Sequence, residues 1–342
     1  MPRCQDHPRH SCRRLFRVGS TALAAASLQF VTTPLAAAET HDPQAVAAPA
    51  APVPFIDLSQ EPVTTQIAPD AHARPTVEVR LAGQGPFRFL LDTGAQATVI
   101  ARDVAQRLAL PSAGHATLVA TGSRRSVDLV QVAGLAFADR EMNLAASPVL
   151  ESANMGADGI LGLDTLQGLR VLMDFRERRM TVVDPNAQRL TGRYEIVVRA
   201  RKRLGQMIIM DADVDGIRTA VIIDTGAAVA IGNPVLQRRL RAKRREGGIT
   251  IDVNGVQFNT DLSLASQIRV GTLTIADVQI GFTDSPAFHA LRLAERPALI
   301  LGMNALRALD RLAIDFASRR VMFDLPRSAT SGRTGWGAPR SF

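Results

Sequence analysis

Thiols are almost missing from this sequence: its 342 residues include only two cysteines, Cys4 and Cys12. Both lie in an N-terminal segment that we expect to be removed, so the mature chain would have no disulfide, no cysteine nucleophile and no cysteine metal site. The histidines beyond that segment are scattered singly: His41, His72, His115 and His289. Because none of them stands at metal-ligand spacing from another, we expect no metal ion in this protein.

Aromatic residues are also scarce, with one tryptophan and one tyrosine in the whole chain. A concentrated basic run covers residues 238–245, in a chain with a formal net charge of +8. A basic helix face of this kind could bind nucleic acid or anionic lipid. Because no aromatic side chains alternate with the basic ones to stack on bases, we interpret the run as a solvated helix end and expect no nucleic-acid partner.

The N-terminal residues 1–38 have the features of a secretory signal peptide. Arginines precede a weakly apolar run from Val18 to Val31, and small residues suited to cleavage end at Ala38. An uncut anchor is the alternative; beyond this segment, no apolar run is long enough to span a bilayer. The pair Arg13-Arg14 resembles a twin-arginine signal, but a chance pair in an arginine-rich chain leaves the general secretory route open. We therefore expect an exported protein of the periplasm or cell envelope.

From about residue 75 onward the sequence contains one pattern twice, which indicates two tandem copies of one lobe. An apolar strand ends in Asp92-Thr93-Gly94 in copy one and in Asp224-Thr225-Gly226 in copy two. Later in each copy, an apolar segment ends in Gly162 or Gly302, and a strand pair then closes the copy. The offset between the copies widens from 132 to 140 residues, which predicts an insertion in copy two between residues 256 and 298.

The pattern between these blocks predicts lobes that are mostly β, with short helices near 102–109, 163–168, 233–241 and 303–308. Asp215-Gly216 between two apolar runs predicts a tight hairpin turn. The expected segments are an Ala/Pro-rich linker or arm (39–74), lobe one (75–184), a connector (185–205), lobe two (206–326) and a disordered tail (327–342).

Each Asp-Thr-Gly segment places a carboxylate at the end of an apolar strand, where an unpaired charge is costly. The glycine allows a tight turn, and the threonine hydroxyl can hold the loop by hydrogen bonds. Two such loops facing each other would bring Asp92 and Asp224 together, and two adjacent carboxyl groups share one proton because both cannot easily ionise. The ionised group can activate a water while the protonated group polarises a carbonyl, a chemistry that requires no metal and no cofactor.

Both copies resemble lobes of the retropepsin family of aspartic proteases, over about residues 76–326. The match is carried by residues 90–100, by Ile160-Leu161-Gly162 and by Ile300-Leu301-Gly302. The resemblance implies a bilobal, pseudo-two-fold symmetric acid-protease fold, in which Asp92 and Asp224 cleave a peptide or protein substrate held in extended conformation. The resemblance also implies that six residues shape and support the two active-site loops: Thr93, Gly94, Gly162, Thr225, Gly226 and Gly302.

The family also has a flap, a hairpin that folds over the substrate. The candidates centre on Gly122, 30 residues after Asp92, and on Gly255, 31 residues after Asp224. Asn254-Gly255 is a strong turn signal, although an ordinary surface hairpin is the alternative in each copy. As tips of exposed hairpins, both glycines are expected to take positive φ and to contribute little packing.

One ion pair of the family is missing from both copies. The acid expected after the alanine is replaced by Gln96 and Ala228, and the arginine expected after the supporting glycine by Leu163 and Met303. Since that pair helps to anchor the substrate backbone in the family, its loss leaves the mode of substrate binding open.

Three functions remain open from the sequence. The first is an exported aspartic endopeptidase, active as a monomer because both Asp-Thr-Gly loops lie on one chain. The second is a catalytically silent peptide-binding module of the cell envelope. In the third, each lobe pairs with a lobe of another molecule. Both copies keep aspartate and glycine, and the connector is short, which favours the first function.

Overall fold

The structure of the protein is a computed structural model that describes residues 23–25, 29–30, 63–138, 140–183, 194, 196–240 and 246–325. Strands predominate and the helices are short, which confirms the mostly-β prediction. Four helices lie where the sequence predicted them: α1 (Arg102–Arg107), α3 (Leu163–Leu166), α4 (Pro234–Leu240) and α6 (Met303–Leu306). Two were not predicted: α2 (Ser152–Met155) and α5 (Pro286–Ala290).

Among the described residues, the sheet of lobe one contains nine strands. In chain order they are β2 (Gln29–Phe30), β4 (Ala68–Pro69), β5 (Pro75–Leu81), β6 (Gln84–Leu91), β7 (Val99–Ala101), β8 (Ser112–Val119), β9 (Arg124–Phe137), β10 (Arg140–Leu150) and β11 (Gly159–Leu161). Their order across the sheet is β2-β8-β9-β10-β7-β11-β6-β5-β4.

The sheet of lobe two also contains nine strands. They are β1 (Leu23–Ala25), β15 (Arg201–Arg203), β16 (Gln206–Val214), β17 (Ile217–Ile223), β18 (Ala230–Gly232), β19 (Glu246–Asp252), β20 (Gln257–Val270), β21 (Leu273–Phe282) and β22 (Ala298–Leu301). Their order, β1-β19-β20-β21-β18-β22-β17-β16-β15, repeats that of lobe one position by position. The predicted internal repeat is therefore a repeat of topology as well as of sequence.

A third sheet joins the two lobes. Its strands are β3 (Val63–Gln66), β12 (Arg170–Asp174), β13 (Arg179–Val183), β14 (Ile196–Arg199), β23 (Arg311–Asp315) and β24 (Arg320–Asp324), in the order β14-β24-β23-β12-β13-β3. The closing strand pairs of the two copies meet at its centre, where β12 runs antiparallel to β23 with Leu172 opposite Ala313. The buried carboxylate of Asp315 forms an ion pair with Arg170 across this junction, at 2.7 Å.

Two local predictions are confirmed by the backbone. Asp215 and Gly216 connect β16 to β17 with φ values of +45° and +83°, the signs that a two-residue hairpin turn requires. The predicted insertion is the segment between β21 and β22, residues 283–297, which contains α5; its counterpart in lobe one, residues 151–158, is much shorter. Phe288, Leu291 and Leu293 of the insertion are buried in a second apolar cluster of lobe two.

Some strands lie inside segments that were expected to be the linker, the connector and the signal peptide. The expected linker contains β3 and β4, the expected connector contains β14 and β15, and the expected signal segment contains β1 and β2. The linker and connector strands pair with strands of the two lobe sheets and of the joining sheet. The rest of residues 1–62, most of 184–195, the basic residues 241–245 and the predicted tail lie outside the described residues.

None of the helices in the described ranges has the length and apolar character needed to cross a membrane.

The joining sheet leads to a prediction about assembly. A lobe of a second molecule would have to pair with the edge of β12. That edge is already paired with β23 of the same chain. The purified protein should sediment with the mass of one chain, unchanged over a hundredfold range of concentration. A mass that doubles as concentration rises would contradict pairing within the chain.

Candidate active site

Each predicted catalytic aspartate follows directly on a buried strand, Asp92 after β6 and Asp224 after β17. The backbone N–H groups of Gly94 and Ala95 donate to Asp92 Oδ1 at 2.7 and 2.9 Å. Asp224 Oδ1 accepts the equivalent bonds from Gly226 and Ala227, at 2.9 and 3.0 Å. The tight turn after each aspartate therefore binds one oxygen of each carboxyl group and orients the other.

The structure brings these two loops together. Asp92 and Asp224 are 0% and 1% exposed, although they are 132 positions apart in the chain. A side chain added at Gly94 would overlap the carboxyl group of Asp224. Glycine is thus required here because the second carboxylate lies against the backbone of the first loop.

The threonines connect the loops reciprocally. Thr93 donates its hydroxyl hydrogen to the carbonyl of Ile223 at 2.9 Å, and Thr225 donates to the carbonyl of Leu91 at 2.7 Å. The backbone N–H of each threonine donates to the hydroxyl of the other, at 3.1 and 3.2 Å. This arrangement is the interlock that the family resemblance implied, and it lies beneath the paired carboxylates.

Burial controls the acidity of the pair. Burial raises the pKa of Asp92 well above its ordinary value, and the neighbouring charge of Asp224 raises it further. The N–H groups of Gly94 and Ala95 act in the opposite direction, but less strongly. Asp92 Oδ2 is buried, and the carboxyl group of Asp224 is the one side chain among the described residues with which it can share a proton. A carboxyl group in this setting retains a proton that an exposed one would lose.

The predicted supporting glycines lie against the active-site loops. A side chain at Gly162 would overlap the backbone of Ala97, and one at Gly302 would lie 2.7 Å from the carbonyl oxygen of Ala227. The backbone N–H groups of Asp92 and Asp224 donate to the carbonyls just before these glycines, on β11 and β22. Only a residue without a side chain permits this approach in either copy.

Polar side chains hold each active-site loop from behind, in a way the sequence did not reveal. In lobe one, the carboxylate of Asp164 accepts bonds from the backbone N–H and the hydroxyl of Thr98, at 2.9 and 2.7 Å. In lobe two, Asn304 Oδ1 accepts a bond from the backbone N–H of Ala230 at 2.9 Å. Burial raises the pKa of Asp164. Copy two has asparagine where copy one has aspartate, and it lacks the threonine hydroxyl that donates to this aspartate in copy one.

The residues that replace the missing ion pair now contact other parts of the chain. Leu163 and Met303 are buried in the core. The side-chain amide of Gln96 donates to the carbonyl of Leu204 at 2.8 Å, in the turn between β15 and β16 of lobe two. Gln206, just after this turn, donates to the carbonyl of Gly94. The loop of copy one is therefore held by lobe two at the position where the family carries an acid.

Both flap candidates are hairpin turns, residues 120–123 between β8 and β9 and residues 253–256 between β19 and β20. The two turns contact each other. Asp252 Oδ2 accepts a bond from the hydroxyl of Ser123 at 2.6 Å, and Asn254 Nδ2 donates to the same hydroxyl at 2.8 Å. Arg125 donates to the backbone carbonyl of Asn254 at 3.0 Å. We call the contact between Ser123, Asp252 and Asn254 the flap latch.

The expected positive φ is present at Gly255 and absent at Gly122. Gly255 is exposed and has a φ of +75°, whereas Gly122 does not have positive φ. Instead, a side chain at Gly122 would overlap the ring of Phe258, from the other flap. Packing against Phe258 of the other lobe excludes a side chain at Gly122, which a pattern within one copy cannot show.

No cluster of three or more histidine, cysteine, aspartate or glutamate side chains suited to a metal ion occurs among the described residues.

Two lobes of one topology, each with a carboxylate-bearing loop at their junction, define a bilobal acid-protease fold. A family model described as aspartyl protease matches residues 77–165 and 210–305, one segment in each lobe. Together these segments cover more than half of the 342 residues, so the chain belongs to the retropepsin-like aspartyl protease family. No curated protein matches the sequence.

The raised pKa of Asp92 predicts a gain of stability in Asp92→Asn. An aspartate with a raised folded-state pKa binds more protons when folded than when unfolded, so it lowers stability progressively as pH rises above its ordinary value of 3.8. Asparagine keeps the bond to the loop N–H groups without the charge. Chemical denaturation should show Asp92→Asn to be more stable than wild type at neutral pH, with the difference shrinking towards pH 4.

The control is Asp103→Asn, which removes the same charge from the exposed surface of α1. It should give no such pH-dependent gain. If Asp92→Asn is as stable as wild type or less stable at neutral pH, burial of the ionised pair does not destabilise the fold.

The contact at Gly122 predicts a specific coupling. Gly122→Ala should lower the free energy of unfolding by about 1–3 kcal/mol, the usual cost of overpacking. In a Phe258→Ala background, which vacates the space, the same substitution should cost much less. A double-mutant cycle from denaturation curves measures the difference. Equal costs in both backgrounds would show that the flap tips do not pack together in solution.

Proposed function

We propose that this chain is a catalytically active, exported aspartic endopeptidase, in which Asp92 and Asp224 activate a water for attack on a peptide bond. The observation that carries the proposal is the buried carboxyl pair. Both side chains are almost inaccessible, one oxygen of each is bound by its own loop, and the pKa of Asp92 is raised by burial and by Asp224. A silent scaffold has no need for two adjacent buried carboxylates, because their proximity destabilises the fold.

The geometry supports direct addition of water to the peptide carbonyl, followed by loss of the amine. One proton is shared between the pair. The ionised carboxylate removes a proton from the water while the water oxygen bonds to the peptide carbonyl carbon. The protonated carboxyl donates a hydrogen bond to the carbonyl oxygen and stabilises the charge that develops there. A proton then passes to the departing nitrogen as the C–N bond breaks. The reaction forms no covalent bond to the enzyme.

The flaps have to open before a peptide can reach the pair. In the described structure their tips are joined by the flap latch, and Asp252 is 1% exposed. An extended peptide between the flaps and the aspartates would separate Ser123 from Asp252 and then offer its own backbone groups to the flap strands. Two buried flap oxygens without a partner among the described residues, Thr121 Oγ1 and Asn254 Oδ1, support this role because a substrate backbone could satisfy them.

Export is the second part of the proposal. It rests on the arginine-rich start of the sequence, the weakly apolar run after it and the small residues ending at Ala38. The N-terminal residue of the protein recovered from the envelope fraction of the producing cell tests this directly. We expect Glu39 at the N-terminus; an intact Met1 on cytoplasmic protein would contradict export.

Substitution of either aspartate tests the catalytic proposal. Asp92→Asn and Asp224→Asn should each reduce hydrolysis of an unfolded protein mixture by roughly 10²–10⁴-fold or more, because neither variant retains a pair that can both accept and donate the shared proton. The rate of appearance of new termini, identified by mass spectrometry, is the measurement. Asp103→Asn is the matched control and should retain full activity.

The same experiment distinguishes the silent peptide-binding module. A wild-type protein that binds unfolded peptides without generating new termini, over a pH range from 3 to 8, would establish the binding module instead. Substantial hydrolysis by either aspartate variant would show that the pair is not the catalytic centre.

A further inference from the structure

A concave pocket of about 850 Å³ lies in lobe two, away from the catalytic loops. It is bounded by β15, the start of β17, the last turn of α4 and the insertion after β21. Arg218, on its wall, precedes Asp224 by six residues along β17, which corresponds to roughly 20 Å of extended strand. The pocket is therefore separate from the proposed active site.

Positive charge dominates this pocket. Five arginines line it: Arg201, Arg218, Arg239, Arg292 and Arg296. Arg218 is paired with Asp211 at 2.6 Å, and the other four form no ion pair among the described residues. Glu295 is the acidic side chain in the lining. Like charges converging on a concave surface repel one another unless an anion joins them, so the arrangement favours an anionic occupant.

The insertion has two faces with different uses. Its apolar side chains Phe288 and Leu291 are 0% exposed and cover one face of the sheet of lobe two. Its side chains Arg292 and Arg296 are exposed and line the pocket. Covering the sheet explains the apolar face, but it does not explain arginines on the other face. Because lobe one has the same topology without this insertion, the pocket is specific to lobe two.

Arg292 occupies a position where arginine is locally unfavourable. It has a φ of +52° just after α5, where the backbone N–H of Leu293 donates to the carbonyl of Phe288. This is the left-handed end of a helix, at which glycine is preferred because it has no Cβ. At this position Arg292 lines the pocket, so glycine there would remove the side chain without straining the backbone.

We propose that this pocket binds a small molecule carrying two phosphate groups. The volume lies within the range of small-molecule sites. The arginines come from four different elements, so they can donate to a ligand from several directions. A tetrahedral phosphate accepts hydrogen bonds from all of these directions and matches the guanidinium fork, whereas a carboxylate accepts in one plane. Four unpaired arginines against one glutamate require more charge than a single phosphate supplies.

The test uses the full-length protein and inorganic pyrophosphate as the probe, by isothermal titration at low ionic strength. Arg292→Gly should weaken binding about tenfold, the loss of one charged hydrogen-bonding group. It should leave thermal stability equal or higher, because glycine fits the left-handed position. Arg292→Gly with Arg296→Ala should weaken binding further, to about a hundredfold.

The matched control is Arg319→Gly. Arg319 is exposed, has a φ of +56° and lies outside the pocket, so its replacement removes the same charge from the same backbone conformation. Wild-type affinity in this variant, with weak binding in Arg292→Gly, supports the site. Equal weakening in both variants would show general charge attraction and overturn it.

Two further arms identify the source of the phosphate. Binding to vesicles of phosphatidylglycerol that depends on Arg292 and Arg296, without binding of pyrophosphate, would overturn the two-phosphate small molecule and assign the pocket to a lipid headgroup. Succinate that binds as tightly as pyrophosphate overturns the phosphate assignment, as does a wild-type protein that binds neither probe. Because none of these measurements uses hydrolysis, failure here is distinguishable from failure of the proposed peptidase activity.

Discussion

Two buried threonines, one from each lobe, form the hydrogen bonds that determine where the carboxylates meet. Thr93 and Thr225 form four hydrogen bonds across the junction, each lobe donating to and accepting from the other. A shift of either lobe by 1 Å would break several of these bonds at once in a site from which water is excluded, where an unpaired polar group costs about 1–3 kcal/mol. The interlock therefore fixes the spacing of Asp92 and Asp224 more firmly than the long loops around them could.

Features that depend on neighbouring residues could be read from the sequence. An apolar strand that ends in Asp-Thr-Gly identifies each active-site loop, because only a tight turn stabilised by backbone N–H groups accommodates a carboxylate there. Asp215-Gly216 identified its hairpin because the turn requires positive φ at both residues. The change of offset located the insertion, since the copies otherwise keep one strand order. Repetition was the strongest signal, because each copy constrained the interpretation of the other.

Features that depend on the relative placement of the lobes could not be read in this way. The flap latch joins Ser123 to Asp252, 129 residues apart, and neither residue belongs to a repeated motif. Gly122 was expected at an exposed tip because within its own copy it is one, and Phe258 of the other copy is what excludes a side chain. Of the connector strands, β14 pairs with β24 at the other end of copy two, which no local pattern indicates, whereas β15 pairs with the adjacent strand β16.

The two copies share one strand order throughout, and they share side chains most closely in the loops that meet at the junction. The carboxylates and the threonines meet at the junction, so a change in one copy would disturb the other. Behind the loops, Asp164 and Asn304 hold equivalent backbone groups with different side chains, since an amide oxygen accepts the same bond. In a symmetric dimer each substitution would occur on both sides of the cleft. In a single chain it occurs once, so lobe two could acquire an arginine-lined pocket on its outer surface while the loop geometry of lobe one stayed as it was.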